Sequence, residues 1–258
     1  TFFIPDHFPD SIKEKMKLFS PGVLQLEVGI QTLNLEIASN VSRQLKLDKI
    51  KKNILFLENE TEAHMHLDLI VGLPGEDLAS FGKNLDTLVS WSSCEIQIGI
   101  LKKLSGTYID RHDIKYEMVY SDIPPYDILK NKQLSFIDIQ NMKRFARFWD
   151  LFYNNGNFKR SILLVWNEES VYENFYNFSS WLYKQTNATW KISLVRLGEL
   201  LFTYLHEVKL LSPQFIAEHM LHDMMRVKGR AIPPYLKPYA KDFTQNATYG
   251  EQGFKKRA

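Results

Sequence analysis

The sequence predicts an α/β chain in two parts: parallel strands with helices outside them, then an α-helical region. Three observations predict it. Apolar strand-like runs at residues 24–30, 66–71 and 95–104 are separated by helix-length patterns at 45–57 and 81–91. Such β-α-β-α-β alternation calls for a parallel sheet joined by right-handed crossovers. After Pro124-Pro125 the pattern changes to long helical periodicity.

The first run, LQLEVGIQ at residues 24–31, ends in polar groups, as a strand that presents side chains to a ligand does. The second, HLDLIVGLPGE at 66–76, breaks into the turn Gly72-Leu73-Pro74-Gly75. In the intervening helix, Phe81, Leu85, Leu88 and Val89 fall at helical spacing and are expected to face the sheet. Farther along, Phe136, Ile139, Met142, Phe145, Trp149 and Phe152 recur every three or four residues and make one apolar stripe, read as core. Helical patterns follow at 171–185, 192–206 and 213–226. The dense aromatics Tyr172, Phe175, Tyr176, Phe178, Trp181 and Tyr183 lack accompanying basic residues, so packing explains them better than base stacking.

Composition narrows the classes. At 258 residues and 45% hydrophobic content the chain is able to bury a substantial core. A formal charge of +2 gives no electrostatic reason to expect nucleic acid or an acidic membrane as partner. No apolar run approaches the roughly 20 residues that cross a bilayer, and no secretory leader is evident, so a cytoplasmic location is expected. Cys94 is the single cysteine, which excludes an internal disulfide and any multi-cysteine metal or iron-sulfur site built from this chain alone. GxSxG, Walker-type and GxGxxG motifs are absent from the sequence.

Candidate chemistry lies at the strand ends, where parallel α/β structures gather their ligands. Gln31 and the 72–76 turn fall on that side. Glu27 and Asp68 sit inside strands, where an unpartnered buried carboxylate costs several kcal/mol, so each needs a fixed cation or a ligand with hydroxyl or amino groups. Singly, either is equally well explained as an internal salt bridge. As a pair on adjacent strands, they point to one small molecule. The turn alone is a tight strand-to-helix connection, and Arg43 alone is a surface charge. His64 and His66 alternate with Met65, and the expectation is that one reaches the cavity and the other a helix. In the helical region Glu218, His219, His222 and Asp223 lie within two turns, with His206 and Asp242 as further candidates, which gives a rival reading as a metal-dependent hydrolase. An amphipathic helix with hydrogen-bonded histidines accounts for the same residues.

LQLEVGIQTLN, then Arg43, HMHLDLIVGLPGED and EIQIGILKKLSGTYI resemble the fourth, fifth and sixth strands of the radical S-adenosylmethionine barrel. The resemblance is closest to the branch that adds a cobalamin-binding domain, similar to anaerobic magnesium-protoporphyrin IX monomethyl ester cyclase. The stretch IPPYDILKNKQLSFIDIQNMKRFARFWDLFYN and the helices after it resemble an uncharacterised carboxy-terminal domain that follows such barrels. The resemblance implies the carboxy-terminal half of a TIM-like barrel at 1–122 and a helical domain at 123–258. It also implies S-adenosylmethionine contacts from Gln31, Asp68 and Arg43, the last twelve residues after Gln31, with Glu27 lining the cavity and the turn at Gly72 near the adenine. No catalytic residue and no metal ligand is assigned to this chain. The implied cofactors of the parent enzyme are S-adenosylmethionine, a [4Fe-4S] cluster with ligands outside this chain, and cobalamin. Its implied partners are an unknown small substrate and a reductant such as flavodoxin or ferredoxin.

The CxxxCxxC loop that holds the cluster in that family is absent here, and residues 2–5 correspond at best to the end of a third strand. The expectation is therefore a carboxy-terminal fragment of a radical enzyme, Thr1 lying inside a longer reading frame. The rival is a cluster-free barrel remnant that acts as a binding or scaffold module. Sequencing the coding DNA upstream of Thr1 is expected to reveal an in-frame CxxxCxxC; a start codon at the boundary with no such loop favours the binding module.

Overall fold

The computed structural model describes residues 2–3 and 8–240. These fall into two compact units that divide between Ala146 and Arg147. Asp242 and the basic tail Lys255-Lys256-Arg257 lie outside the described residues.

The first unit is α/β with a parallel sheet. Its elements run β1 (Phe2–Phe3), α1 (Asp10–Met16), β2 (Gln25–Gln31), α2 (Leu35–Asn40), α3 (Leu47–Glu60), β3 (His64–Val71), α4 (Leu78–Trp91) and β4 (Glu95–Ile100). The four strands pair in the order β1-β2-β3-β4, all parallel. Among the described residues they form an open row, with β4 at one edge.

Strand side chains alternate between faces, and β3 shows it most clearly. Met65, Leu67, Leu69 and Val71 are buried, while His64, His66, Asp68 and Ile70 are half-exposed. Leu26, Val28 and Ile30 of β2 and Ile96 of β4 share the buried character, as do Ile50, Ile54 and Leu57 of α3 and Phe81, Leu85 and Leu88 of α4. Each such side chain taken from water contributes about 1.5–3 kcal/mol, so the apolar face of the sheet is the core of this unit.

Two features were not visible as periodicity. Helix α2 starts where the Asn34 side chain accepts hydrogen bonds from Glu36 N at 3.0 Å and Ile37 N at 3.3 Å, a side-chain cap that lets a six-residue helix form. The run expected to continue as strand to residue 104 stops at Ile100. Leu101 N then donates to Val71 O at 2.9 Å, and Leu101 O accepts from Ile128 N at 2.8 Å. The chain returns as an antiparallel hairpin, β5 (Val119–Tyr120) and β6 (Ile128–Lys130), whose strands are too short to show a period.

Helix α5 (Phe136–Trp149) runs on into a π-type turn, Asp150–Asn154. Ile139, Met142, Phe145, Trp149 and Phe152 of the expected stripe are fully buried, whereas Phe136 is exposed.

The second unit continues with α6 (Val171–Thr186), α7 (Leu194–Thr203) and α8 (Pro213–Met225). Ser170, Ser193 and Ser212 each cap one of these helices with a side-chain oxygen. The aromatics of α6 are core: Phe175 meets Trp149 edge-on at 4.9 Å, and Phe178 meets Phe152 at 5.1 Å and Tyr204 at 4.7 Å between ring centroids.

Gly198 of α7 lies against Tyr235, whose hydroxyl occupies the space a Cβ would fill. Gly198→Ala is expected to lower stability by about 1–3 kcal/mol in urea unfolding. Adding Tyr235→Phe, which removes the obstructing oxygen, is expected to restore part of that loss; an unchanged midpoint for the single variant contradicts this packing.

Candidate functional site

The half-exposed face of the sheet is polar. In register across the strands, Gln25 pairs with His64, Glu27 with His66, and Gly29 with Asp68; His66 pairs in turn with Glu95, and Asp68 with Gln97. Paired residues in a parallel sheet stand on one face, so Glu27, His66 and Glu95 form one row, and Gly29, Asp68 and Gln97 the row above it.

Arg43, just after α2, reaches this face and donates through Nη1 to Gly29 O. The missing side chain of Gly29 makes room, since a Cβ there would lie 3.6 Å from Arg43 Nη2. Asp68 Oδ1 is buried and has no hydrogen-bond partner among the described residues. Burial pushes the Asp68 carboxyl up to about 6; the Glu27 carboxylate raises it further and the Arg43 guanidinium draws it down. Glu27 and Arg43 thus act on Asp68 electrostatically from the same face of the sheet.

Gln31 and Gly72 are placed differently. Gln31 ends β2 at φ 66°, beyond a register break that pairs it with Leu69. No hydrogen bond ties its side chain to the Glu27, Arg43 and Asp68 group among the described residues. Gly72, at φ 94°, makes its close approach to β6: a Cβ there would fall 2.7 Å from Ile128 Cγ2. Its carbonyl accepts from Asn131 Nδ2 at 3.2 Å.

Glu76 is the titratable group sequence reasoning treated only as part of a turn. It is 2% exposed. Its Oε1 accepts from Thr32 Oγ1 at 2.7 Å, Asn84 Nδ2 at 2.8 Å and Ser80 Oγ at 3.4 Å, while Oε2 is buried without a partner among the described residues. Burial pushes this carboxyl up to about 7, against the pull of those three donors. The link joins the end of β2 to α4. Nearby, Asn40 Nδ2 donates to Pro74 O at 2.8 Å and ties α2 to the same turn.

His64 and His66 correct the sequence reading. Two residues apart in a strand, they stand on the same face, rings edge to face with centroids 4.7 Å apart. His64 Nε2 is 3.3 Å from Glu95 Oε1, and His66 Nδ1 is 3.2 Å from Glu95 Oε2. Among the described residues, this trio is the group of His, Cys, Asp or Glu close enough together to hold a metal ion. The signal was present in part, since His-x-His in a strand fixes a common face. The third member depends on register.

The α8 residues are arranged for structure. Asp223 is buried and accepts from Arg160 N and Ser161 N, both at 2.9 Å, and from Ser161 Oγ at 2.7 Å. It thereby caps the 3₁₀ turn Ser161–Val165. His219 Nδ1 lies 2.9 Å from Phe215 O, one turn back on its own helix. Glu218, His219, His222 and Asp223 do not converge as a metal-binding group among the described residues. Cys94, the lone cysteine, is half-buried. Two concavities lie elsewhere, one around Lys103, Asp113 and Tyr120, the other around Phe158, Met220 and Tyr235; neither contains the Glu27, Arg43 and Asp68 group. No helix among the described residues is long and apolar enough to cross a membrane.

A family model described as a protein of unknown function (DUF4080) matches residues 114–255, more than half of the chain. No curated protein matches it.

The Glu76 carboxyl gives a measurable pH dependence. Its folded-state value, about 7, lies above the 4.5 of an ordinary glutamate in the unfolded chain. Between the two the folded chain binds more protons, so stability falls as pH rises through this window, by roughly 3 kcal/mol at 1.36 kcal/mol per unit. Glu76→Gln keeps the accepting oxygen and abolishes the titration. Its urea stability is expected to fall less than that of the parent chain between pH 5 and 8 (about the span set by the two values); parallel profiles would rule out a buried, proton-binding Glu76.

Proposed function

We infer that this chain, which belongs to the family described as protein of unknown function (DUF4080), is the cofactor-holding carboxy-terminal portion of a radical S-adenosylmethionine enzyme. The observation that carries this reading is the coupled group Glu27, Arg43 and Asp68 on the polar face of a parallel sheet, with one buried Asp68 oxygen awaiting a donor. The family match supports it by position, since it covers the stretch that resembles the uncharacterised carboxy-terminal domain following such barrels.

The donor set suits S-adenosylmethionine. Asp68 is an acceptor for a hydroxyl or ammonium, Arg43 supplies positive charge for an α-carboxylate, and Glu27 offers a second acceptor one row below. The cofactor, when bound beside a reduced cluster, is a source of the 5′-deoxyadenosyl radical, and that chemistry belongs to the cofactor. The share of this chain is to hold and orient it. The cluster itself does not fit these residues: Cys94 alone provides one thiolate where three are needed, so no step involving it is assigned here. Cobalamin likewise finds no assigned ligand in this chain.

The test uses the full-length protein from the native locus, reconstituted with iron and sulfide under anaerobic conditions. Reductive cleavage of S-adenosylmethionine to 5′-deoxyadenosine is expected. Asp68→Asn and Arg43→Ala are each expected to raise the Kd for S-adenosylmethionine by about tenfold or more, the scale of one lost charge-assisted hydrogen bond. The 258-residue chain alone is expected to bind it weakly. Absence of 5′-deoxyadenosine from a cluster-loaded protein, or tight binding by the iron-free chain, overturns the reading.

A further inference from the structure

The row below Asp68 carries a second constellation that the S-adenosylmethionine reading does not use. His64 and His66 project from β3, and Glu95 projects from β4 directly opposite His66. One ligand atom from each, a ring nitrogen of either histidine and a carboxylate oxygen, lies within 4.8 Å of the other two. Donors about 2.0 Å from a tetrahedral ion stand about 3.3 Å apart, the edge of that tetrahedron. Each histidine lies near this distance from one carboxylate oxygen, His64 Nε2 at 3.3 Å from Glu95 Oε1 and His66 Nδ1 at 3.2 Å from Glu95 Oε2. Three backbone positions on two hydrogen-bonded strands thus gather the donors within a short side-chain adjustment of one ion.

We propose that His64, His66 and Glu95 form a three-ligand site for a zinc-class divalent ion on the polar face of the sheet, with a further coordination position open to water. Imidazole with carboxylate is the donor set such ions select, and three protein ligands with an open position is the pattern of reactive zinc sites. The site is accessible from solvent: the His64 side chain is 43% exposed and the His66 and Glu95 side chains are 18% and 17% exposed.

The surroundings fit. Gln25 Nε2 lies 3.0 Å from His66 Nε2, so the outer nitrogen of this imidazole is held by an amide. With the ion on Nδ1, His66 carries its proton on Nε2, and the Gln25 amide, turned over, accepts it through its oxygen; ligating histidines are usually oriented by such an outer partner. Without the ion, the same geometry is served by His66 Nδ1–H donating to Glu95 and the Gln25 amide donating to Nε2. Metal binding thus exchanges one tautomer for the other. Two neutral imidazoles and one carboxylate leave the ion with a net positive charge, and Glu27, in register with His66 on β2, faces that charge from the other side.

The proposal does not depend on S-adenosylmethionine, and its test omits that compound. The full chain, stripped with chelator, is titrated with Zn²⁺ by calorimetry and with Co²⁺ by visible absorption. Saturation at one ion per chain is expected, with the intense Co²⁺ bands of a four- or five-coordinate site. His64→Asn and Glu95→Gln are expected to weaken binding by at least about tenfold each and to abolish the bands, while His219→Ala leaves both unchanged. Circular dichroism checks that each variant is folded; the exposure of His64 and the near-isosteric Gln at 95 favour that. Absence of stoichiometric binding by the folded parent chain overturns the proposal. Binding that survives His64→Asn and Glu95→Gln, or that is lost in His219→Ala, also overturns it.

Discussion

A strand has two faces, and in the first unit the apolar sides of α3 and α4 are buried with one of them. On β3 the alternation is complete: Met65, Leu67, Leu69 and Val71 are buried, and His64, His66 and Asp68 stand opposite them in partial contact with solvent. A one-residue slip of β3 would put the histidines and Asp68 among the side chains of the apolar core, at several kcal/mol for each uncompensated charge. The hydrophobic face therefore sets the register, and the register aligns Glu27, His66 and Glu95. The arrangement of polar groups is a consequence of packing on the side they do not occupy.

The carboxyl ends of the strands are fixed by polar contacts of a different kind. Glu76 gathers Thr32 from the end of β2 with Ser80 and Asn84 from α4, and Asn131 holds the Gly72 carbonyl at the end of β3. Burial raises both Glu76 and Asp68, yet the two carboxyls are in different situations. Glu76 has three donors on one oxygen, which suits a linking role. Asp68 has no such set of side-chain donors and instead stands between the repulsion of Glu27 and the attraction of Arg43, which suits a binding role; each carboxyl keeps one buried oxygen without a partner among the described residues.

Much of this was legible in the sequence, for a physical reason. The long apolar runs and helical stripes follow from burial, and burial is periodic, so the three main strands, α4 and the aromatic core of the second unit could be read directly. Helix α2 and the β5–β6 hairpin could not, because six residues under an Asn34 cap and strands of two and three residues carry too few apolar positions to show a period. Glu27 and Asp68 stood out because carboxylates inside strands are anomalous, whereas Arg43 read as a surface charge and entered only through the family resemblance. The association of His64, His66 and Glu95 was not, because it joins residues through interstrand register, a property of the folded sheet. In α8 the spacing of His219 and His222 correctly implied neighbouring helix positions, but it carried no information about Asp223, which caps the turn at Ser161.

The two rows of the polar face are physically linked. Successive residues on one face of a strand are two apart, about 7 Å along the chain direction. An ion held by His66 and Glu95 and a small molecule held by Asp68 are thus near neighbours, and Glu27 stands in the lower row while raising the pKa of Asp68 in the upper one. A cation in the lower row attracts the Glu27 carboxylate and offsets its repulsion of Asp68, which favours the ionised form of Asp68. A protonated Asp68 donates a hydrogen bond, and an ionised one accepts two or more. The charge state of the lower row therefore bears on which ligand groups the upper row is able to hold, and Glu27 is the side chain through which that influence passes.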